Sequence, residues 1–351
     1  RFFLIKLEQP PERDSLISAV RIGTRTSSLR LDHPRSIMNT TESDVIGIDV
    51  SKAQLDCCVG RDNRLFRISN TAHVIKAKLL KLQEELPKLF LVVESTGKYH
   101  AVLFRVATEL SIPIAVLNPK RIRDFAKGVG QLAKTDTIDA RIIARYALTV
   151  EVAPTLAPSK ELEALRSLVA RRNDIVRMIT QEQNRLGDIQ DKMLIRSLKR
   201  HIKWLTQERQ ALEAEIKELA QSPQFAAKLS LLKGFKGVGE LSAAALIAFL
   251  PELGTLSKSH IAALVGVAPF ADDSGTSCRG KRRIWGGRCA VRSALYMCAL
   301  TAIRCNSNIK SYYQSLRLRG KAAKVALVAA MRKTIIILNA MLRDNAQFQS
   351  I

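Results

Sequence analysis

The sequence is short of the residues that build thiolate metal sites, disulfide frameworks and membrane anchors. Its six cysteines, Cys57, Cys58, Cys278, Cys289, Cys298 and Cys305, contain no Cys-x-x-Cys pair, and none of the five histidines stands at ligand spacing from them. That spacing argues against a zinc site and against a secreted, disulfide-stapled fold. No apolar run reaches the ~18 residues of a membrane span. The chain therefore reads as soluble, intracellular and reduced, with no membrane partner.

Acidic residues are the other scarcity. From Ala271 to Arg343 there are 15 Lys or Arg against 2 Asp and no Glu, within a chain of 351 residues whose formal net charge is +24. Such an excess serves a polyanionic partner better than it serves solubility, so the C-terminal part is the expected nucleic-acid contact. The length suits two or three domains.

Residues 1–37 begin with Arg and mix isolated Arg with Ser, Thr and Pro, without sustained periodicity. They read as a poorly ordered leader, with Met38 the more plausible start. From Val45, three short β-rich runs (VIGIDV, LDCCVG, RLFRIS) predict an antiparallel meander. A helix over Thr71 to Glu85, a buried strand LFLVVES, a helix from Tyr99 to Leu110 and a strand from Pro113 to Leu117 follow. That order is the one of a ribonuclease H-like α/β domain with a mixed sheet.

On this scaffold Asp49 falls in the middle of the first strand and Glu94 at the end of the fourth, while Asp136 and Asp139 sit i, i+3 at the start of a helix and share one face. A strand carboxylate costs several kcal/mol of desolvation unless it is paired, protonated or metal-bound. Solvated strand ends and helix-dipole partners explain single acids, but not four at one edge. Four carboxylates without nearby His or Cys suit a hard divalent ion, Mg²⁺ or Mn²⁺, and phosphodiester chemistry.

Pro154 and Pro158 mark a boundary. Beyond it Leu162, Leu165, Val169, Val176, Ile179, Leu186 and Met193 keep one heptad-like register and Leu198, Ile202, Leu205, Leu212, Ile216 and Leu219 another. Coiled-coil-like association with a break near Ile195 to Leu198 is expected. Gly237 and Gly239 then form a GVG turn before an Ala-rich helix, similar to a helix-hairpin-helix element whose backbone N–H groups can receive a phosphate. An ordinary glycine turn explains the same residues. Two long helices, Val291 to Arg304 and Lys321 to Leu342, complete the pattern. The stretch PFADDSGTSCRGKRRIWGGRCAVR places Ser274, Thr276 and Ser277 on a Gly-rich loop before Arg279, Lys281, Arg282, Arg283, Arg288 and Arg292. It can hold a nucleophilic oxygen against a polyanion, or be a solvated basic loop.

With GIDVSK around Asp49, VVESTG around Glu94, KTDTIDA around Asp136 and Asp139, and GVAPFADDSG before RGKRRIWGG, the chain resembles a DEDD-type insertion-sequence transposase. The family is the "IS one-ten" family, and the last signature leans toward its "IS eleven-eleven" branch. The resemblance runs from about Val45 to Asp344. It implies an α/β plus α fold: a RuvC-like ribonuclease H-fold domain, a coiled-coil linker, and a mainly helical C-terminal transposase domain. In this chain those correspond to residues 45–153, 154–228 and 229–344, flanked by a leader over 1–44 and a tail over 345–351. It further implies that Asp49, Glu94, Asp136 and Asp139 form a metal-binding tetrad and that Ser274 is the nucleophile. DNA at element ends and target, a structured guide RNA, a dimeric to tetrameric assembly with sites composed across subunits, and a cytoplasmic, nucleoid-associated location also follow from the resemblance. A RuvC-type nuclease acting without a covalent intermediate and a non-catalytic nucleic-acid scaffold are the alternatives.

Overall fold

The structure, a computed structural model, describes residues 43–95, 97, 99–131, 136–271 and 282–348, with backbone alone for Asp136, Thr137, Ala271 and Arg282. The described chain forms two compact units that meet in sequence at Ala157 and Pro158. Of the expected leader, only Ser43 and Asp44 are among the described residues, and Asp44 already opens the first strand.

The first unit carries β1 (Asp44–Val50), β2 (Gln54–Val59), β3 (Leu65–Ser69), α1 (Ala72–Glu85), β4 (Leu89–Glu94), α2 (Ala101–Glu109), β5 (Ile114–Leu117), α3 (Pro119–Gly128) and α4 (Asp136–Thr149). The sheet order is β3-β2-β1-β4-β5. The first three strands are antiparallel, and β4 and β5 run parallel to β1. This is the mixed sheet anticipated from the strand and helix order. β1 and β4 are central, buried on both faces, and accordingly read as nearly continuous apolar runs. Ile46, Ile48, Leu91 and Val93 pack beneath Ile75 and Leu79 of α1 and Leu103 and Val106 of α2. The opposite face sets Val45, Phe90 and Val92 against Ile142, Ile143 and Tyr146 of α4 and Ile122 of α3. α3, which the sequence reading missed, is opened by Asn118, whose side chain accepts from the Lys120 N–H at 2.8 Å.

Gly47 sets how closely α4 approaches the sheet. A Cβ at that position would stand 2.3 Å from the Ala144 nitrogen and 2.4 Å from the Ala140 carbonyl oxygen. Only glycine lets the helix backbone rest directly on β1.

The second unit opens with a helical hairpin, α5 (Lys160–Asp188) and α6 (Lys192–Ala220). Ser159 caps α5 by accepting from the Leu162 N–H at 3.1 Å, and Asp191 caps α6 by accepting from the Leu194 N–H at 2.9 Å. The break therefore falls at Ile189–Asp191, before the expected position: the chain turns extended at Ile189 and Asp191 then caps the start of the second helix. The buried seam uses Ile175, Ile179 and Leu205, so Ile175 takes the place expected for Val176, and Met193 is exposed. Arg172 donates two hydrogen bonds to Glu213 at 2.9 and 2.7 Å across the hairpin.

Behind the hairpin come α7 (Pro223–Lys233), α8 (Glu240–Phe249), α9 (Lys258–Val265), a two-stranded ladder of β6 (Phe270–Ala271) and β7 (Arg282–Arg283), then α10 (Cys289–Cys305), α11 (Ser307–Leu318) and α12 (Ala323–Arg343). α8 is the centre of this core, buried from Ala243 through Ala248. Its alanines keep the surrounding helices close. α12 is long and apolar enough by length and composition to cross a membrane, which no run was expected to be, but half of that stretch is buried inside the unit. Asn339 anchors it by accepting from the Gly254 N–H at 2.9 Å and donating to the Leu256 carbonyl at 2.8 Å.

Candidate active site

The candidate acids of the first unit are organised by strand register. Asp49 is the penultimate residue of β1, not its middle, and pairs across the antiparallel ladder with Asp56 of β2. Asp56 in turn pairs with Arg67 of β3. On the parallel side Ile48 pairs with Val93, which brings Asp49 level with Glu94, and Glu94 pairs with Leu117 of β5. Arg67, Asp56, Asp49, Glu94 and Leu117 thus form one row across the sheet.

Alternation decides which face the row uses. Val45 and Gly47 face α4, so Asp49 does too; Phe90 and Val92 face α3 and α4, so Glu94 follows. α4 runs against β1: Ala140 and Ala144 flank Gly47, while Leu148 and the Val45 carbonyl both flank Gly60. Its first turn, holding Asp136 and Asp139, therefore lies toward the end of β1 where Asp49 stands. Asp49 accepts from the Val50 N–H at 2.9 Å. Asp49, Glu94 and Asp139 are all partly exposed, within reach of a ligand.

Asp56 was not anticipated as part of this row. Its carboxylate is buried, 9% exposed, and accepts from Arg67 Nε at 2.7 Å. Only the hairpin register reveals it; the local signal was one acid in an apolar strand, read as part of LDCCVG. The pairing with Arg67 neutralises the charge that Asp56 would otherwise add beside Asp49.

Among the described residues no three Asp, Glu, His or Cys side chains converge closely enough to hold a metal ion, and the Asp136 side chain lies outside them. The donor chemistry nonetheless fits a hard divalent cation, since the row offers partly exposed carboxylates and no thiolate or imidazole.

In the second unit, Ser274, Arg279 and Lys281 lie outside the described residues, as does the Arg282 side chain. What is described is the base of their loop. Arg283 of β7 is exposed and pairs with Phe270 of β6. Arg288 is committed inside the unit: it donates to both Glu252 carboxylate oxygens at 2.6 Å and to the Phe249 carbonyl at 2.9 Å. Arg166 donates to the Ala248 carbonyl at 2.6 Å. Both cations thereby satisfy carbonyls that α8 leaves open at its C-terminus, where the helix dipole is negative. Burial alone would raise the Glu252 pKa, but the hydrogen bonds and charge of Arg288 hold it below the ordinary carboxylate range. Arg292 donates to the Gly286 carbonyl at 2.5 Å. Of the two arginines expected to face nucleic acid, Arg288 thus bonds within the unit while keeping 37% of its side chain exposed, and Arg292 bonds the loop carbonyl. A motif rich in arginine does not distinguish phosphate contacts from helix caps.

Gly237 has φ 114°, and a Cβ there would stand 2.7 Å from Ala302 Cβ, so its turn is seated against α10. Gly239 precedes α8 as its cap and faces open space.

A mixed α/β domain with carboxylates aligned at the ends of its central strands, followed by a basic helical domain, suits an enzyme that acts on nucleic acid. The sequence comparisons specify which. A DEDD-type model described as a transposase matches residues 46–194, and a model described as "Transposase IS116/IS110/IS902 family" matches residues 229–314. The chain belongs to this transposase family and is an enzyme acting on DNA. The "Pilin gene-inverting protein" of Moraxella bovis is 27% identical over 314 residues, 86% of this chain and 97% of that protein. The "Insertion element IS110 uncharacterized 43.6 kDa protein" of Streptomyces coelicolor is 31% identical over 160 residues, 45% of this chain and 38% of that protein. Among solved structures, "T. thermophilus RuvC in complex with Holliday junction substrate" matches 32% of this chain and 98% of its own at 16% identity and a TM-score of 0.24.

Proposed function

We propose that this chain cuts and rejoins DNA at insertion-sequence ends and target through a covalent serine–DNA intermediate. The observation that carries the reading is the acid row, Asp49 level with Glu94 on the sheet face that α4 covers. Asp49, Glu94, Asp136 and Asp139 would hold Mg²⁺ or Mn²⁺, which in such a site offsets charge on the phosphoryl oxygens. Ser274 Oγ attacks phosphorus and its proton is lost to solvent or a carboxylate. The bond to one bridging DNA oxygen breaks, and that oxygen leaves as a hydroxyl end. Attack by a DNA hydroxyl on the phosphoserine reverses these steps and releases the serine, so the phosphodiester bond energy is kept for rejoining. The name of the Moraxella relative, which inverts a gene, supports rejoining over simple cutting.

Arg279, Lys281, Arg282 and Arg283 contact the DNA backbone in this reading, with the turn of Gly237 and Gly239 as a further phosphate contact. The net charge of +24 supports a structured guide RNA as a second polyanion. Assembly as a dimer or tetramer is supported by the α5–α6 hairpin, which leaves Trp204 50% and Met193 76% exposed. Action on nucleoid DNA places the protein in the cytoplasm.

The test is a denaturing gel of the cleavage reaction with labelled DNA. Wild type should shift DNA into a covalent protein band, Ser274→Ala should abolish that band while binding DNA normally, and Asp49→Asn should abolish strand exchange. An adduct surviving in Ser274→Ala overturns the nucleophile assignment and points to Ser277. Cleavage by wild type without any adduct points to a hydrolytic nuclease.

A further inference from the structure

The chain has 2 tryptophans, and one of them, Trp285, is 51% exposed two residues after β7. Its ring lies 5.3 Å from that of Phe270 across the β6–β7 ladder, tilted by 48°. Phe270 and the intervening Ile284 are each 38% exposed. Phe270 and Trp285 make one small aromatic surface beside the ladder. Leaving large apolar rings in water forgoes the stabilisation that burial elsewhere would bring.

The surface is presented by a firm base. A Cβ on Gly287 would stand 2.3 Å from the Gly266 nitrogen, so the segment after Trp285 is packed backbone to backbone on the end of α9. The Arg288 N–H donates to the Leu264 carbonyl at 3.0 Å, and the Arg288 side chain is locked to Glu252. The ladder's own pairing sets Arg283 opposite Phe270. The aromatic pair therefore stands on a fixed platform with an exposed cation beside it, in a stretch, Ala271 to Arg343, that holds 15 Lys or Arg against 2 Asp.

We infer that Trp285 and Phe270 form a stacking platform for an unpaired nucleobase, with Arg283 on the adjoining backbone phosphate. The charge decides the occupant. An exposed indole face with the Arg283 cation nearby suits a base and its phosphate, because stacking on an aromatic ring is worth about 1–3 kcal/mol per base and tolerates any sequence. A protein partner would need a larger apolar area than these two rings supply, or an acidic rim of its own. An enzyme that opens and rejoins strands exposes unpaired bases beside the breaks. The inference takes its ligand class from the DNA-processing reading but uses neither Ser274 nor the acid row.

The experiment uses the full chain carrying Trp204→Phe, so that Trp285 is the sole tryptophan. It is titrated with a fluorescein-labelled single-stranded thymidine oligonucleotide and with an equally long strand of abasic sites. Anisotropy reports binding of each strand, and unlabelled copies report on Trp285 emission. The thymidine strand should quench Trp285 and the abasic strand should bind without quenching. Trp285→Ala should weaken the thymidine strand by about 5- to 150-fold, the range that 1–3 kcal/mol implies, and leave abasic binding unchanged. Trp285→Phe, which keeps a ring, should retain most of the affinity. Equal quenching by both strands, or equal loss of both in Trp285→Ala, overturns the inference. So does emission that changes with protein concentration in the absence of DNA, which would mark a protein contact instead. Should Trp285→Ala fail to fold by circular dichroism, the quenching comparison and Trp285→Phe still decide. Adding Ser274→Ala should leave the quenching intact, so loss of the nucleophile assignment and loss of the platform give different results.

Discussion

Replacing Arg288 with methionine should lower stability by about 2–3 kcal/mol while leaving the salt dependence of DNA binding unchanged. Methionine keeps the aliphatic bulk and removes three hydrogen bonds, two at 2.6 Å to Glu252 and one at 2.9 Å to the Phe249 carbonyl. A hydrogen bond to a charged group contributes about 1.5–3 kcal/mol net. The two side chains keep 37% and 31% of their exposure, so solvent screening takes the total well below the simple sum. Urea denaturation of Arg288→Met, Glu252→Gln and the double variant should give a coupling of about 1.5–3 kcal/mol. The pH dependence follows from the depressed Glu252 carboxyl. Its stabilisation is full above the unfolded value of about 4.3 and is lost as pH falls through the lower folded value. In Arg288→Met burial dominates and raises that pKa, so the penalty should be largest near neutral pH and shrink on acidification. A phosphate-binding arginine behaves in another way: its removal lowers the slope of log affinity against log salt by about 1 with little change in stability. Stability within about 0.5 kcal/mol of wild type together with a reduced slope would refute the scaffold role.

Three further outcomes are expected. Gly47→Ala should destabilise the first unit by about 3 kcal/mol or more, since its Cβ meets the α4 backbone at 2.3 Å, where side chains cannot yield; thermal melting near wild type would count against the close packing of α4 on β1. Arg67→Ala leaves the buried Asp56 carboxylate without its 2.7 Å partner and should cost about 2 kcal/mol, most of it restored by adding Asp56→Asn; no recovery in the double variant would show that Arg67 acts otherwise. In maleimide labelling followed by peptide mapping at pH 8, exposed Cys289 and Cys305 should react well before Cys57, Cys58 and Cys298. Burial pushes the Cys298 thiol up to about 11 and the other two buried thiols also upward, which suppresses their reactive thiolate; equal rates for Cys298 and Cys289 would contradict the packing of α10.

Much of the first unit was legible because its local signals agree. The runs VIGIDV and LFLVVE are apolar enough for central strands, the apolar spacing of residues 72–85 has the helical period, and the acids interrupt both patterns at strand ends and a helix start. α3 escaped because its short, highly charged sequence buries only Ile122 among its ten residues. α11 escaped for a similar reason, with Ile309 its one buried residue. The hairpin break was misplaced because a register change is visible only over many residues, whereas the cap that starts α6 is a single aspartate.

The chain by itself determined its strongly basic character, the strand and helix periods and the identity of the acids, since these depend on residue type and short-range spacing. Only the tertiary structure decided which of those residues meet. The insertion of β4 beside β1 with Ile48 opposite Val93 brings Asp49 level with Glu94 across 45 residues of sequence, and the β1–β2 register adds Asp56 to the row. Glu252 binds Arg288 from 36 residues away, and Arg288 also bonds the Phe249 carbonyl at the end of a buried helix. Such pairings are set by chain reversal and packing, which place distant residues side by side without leaving a mark on the local sequence.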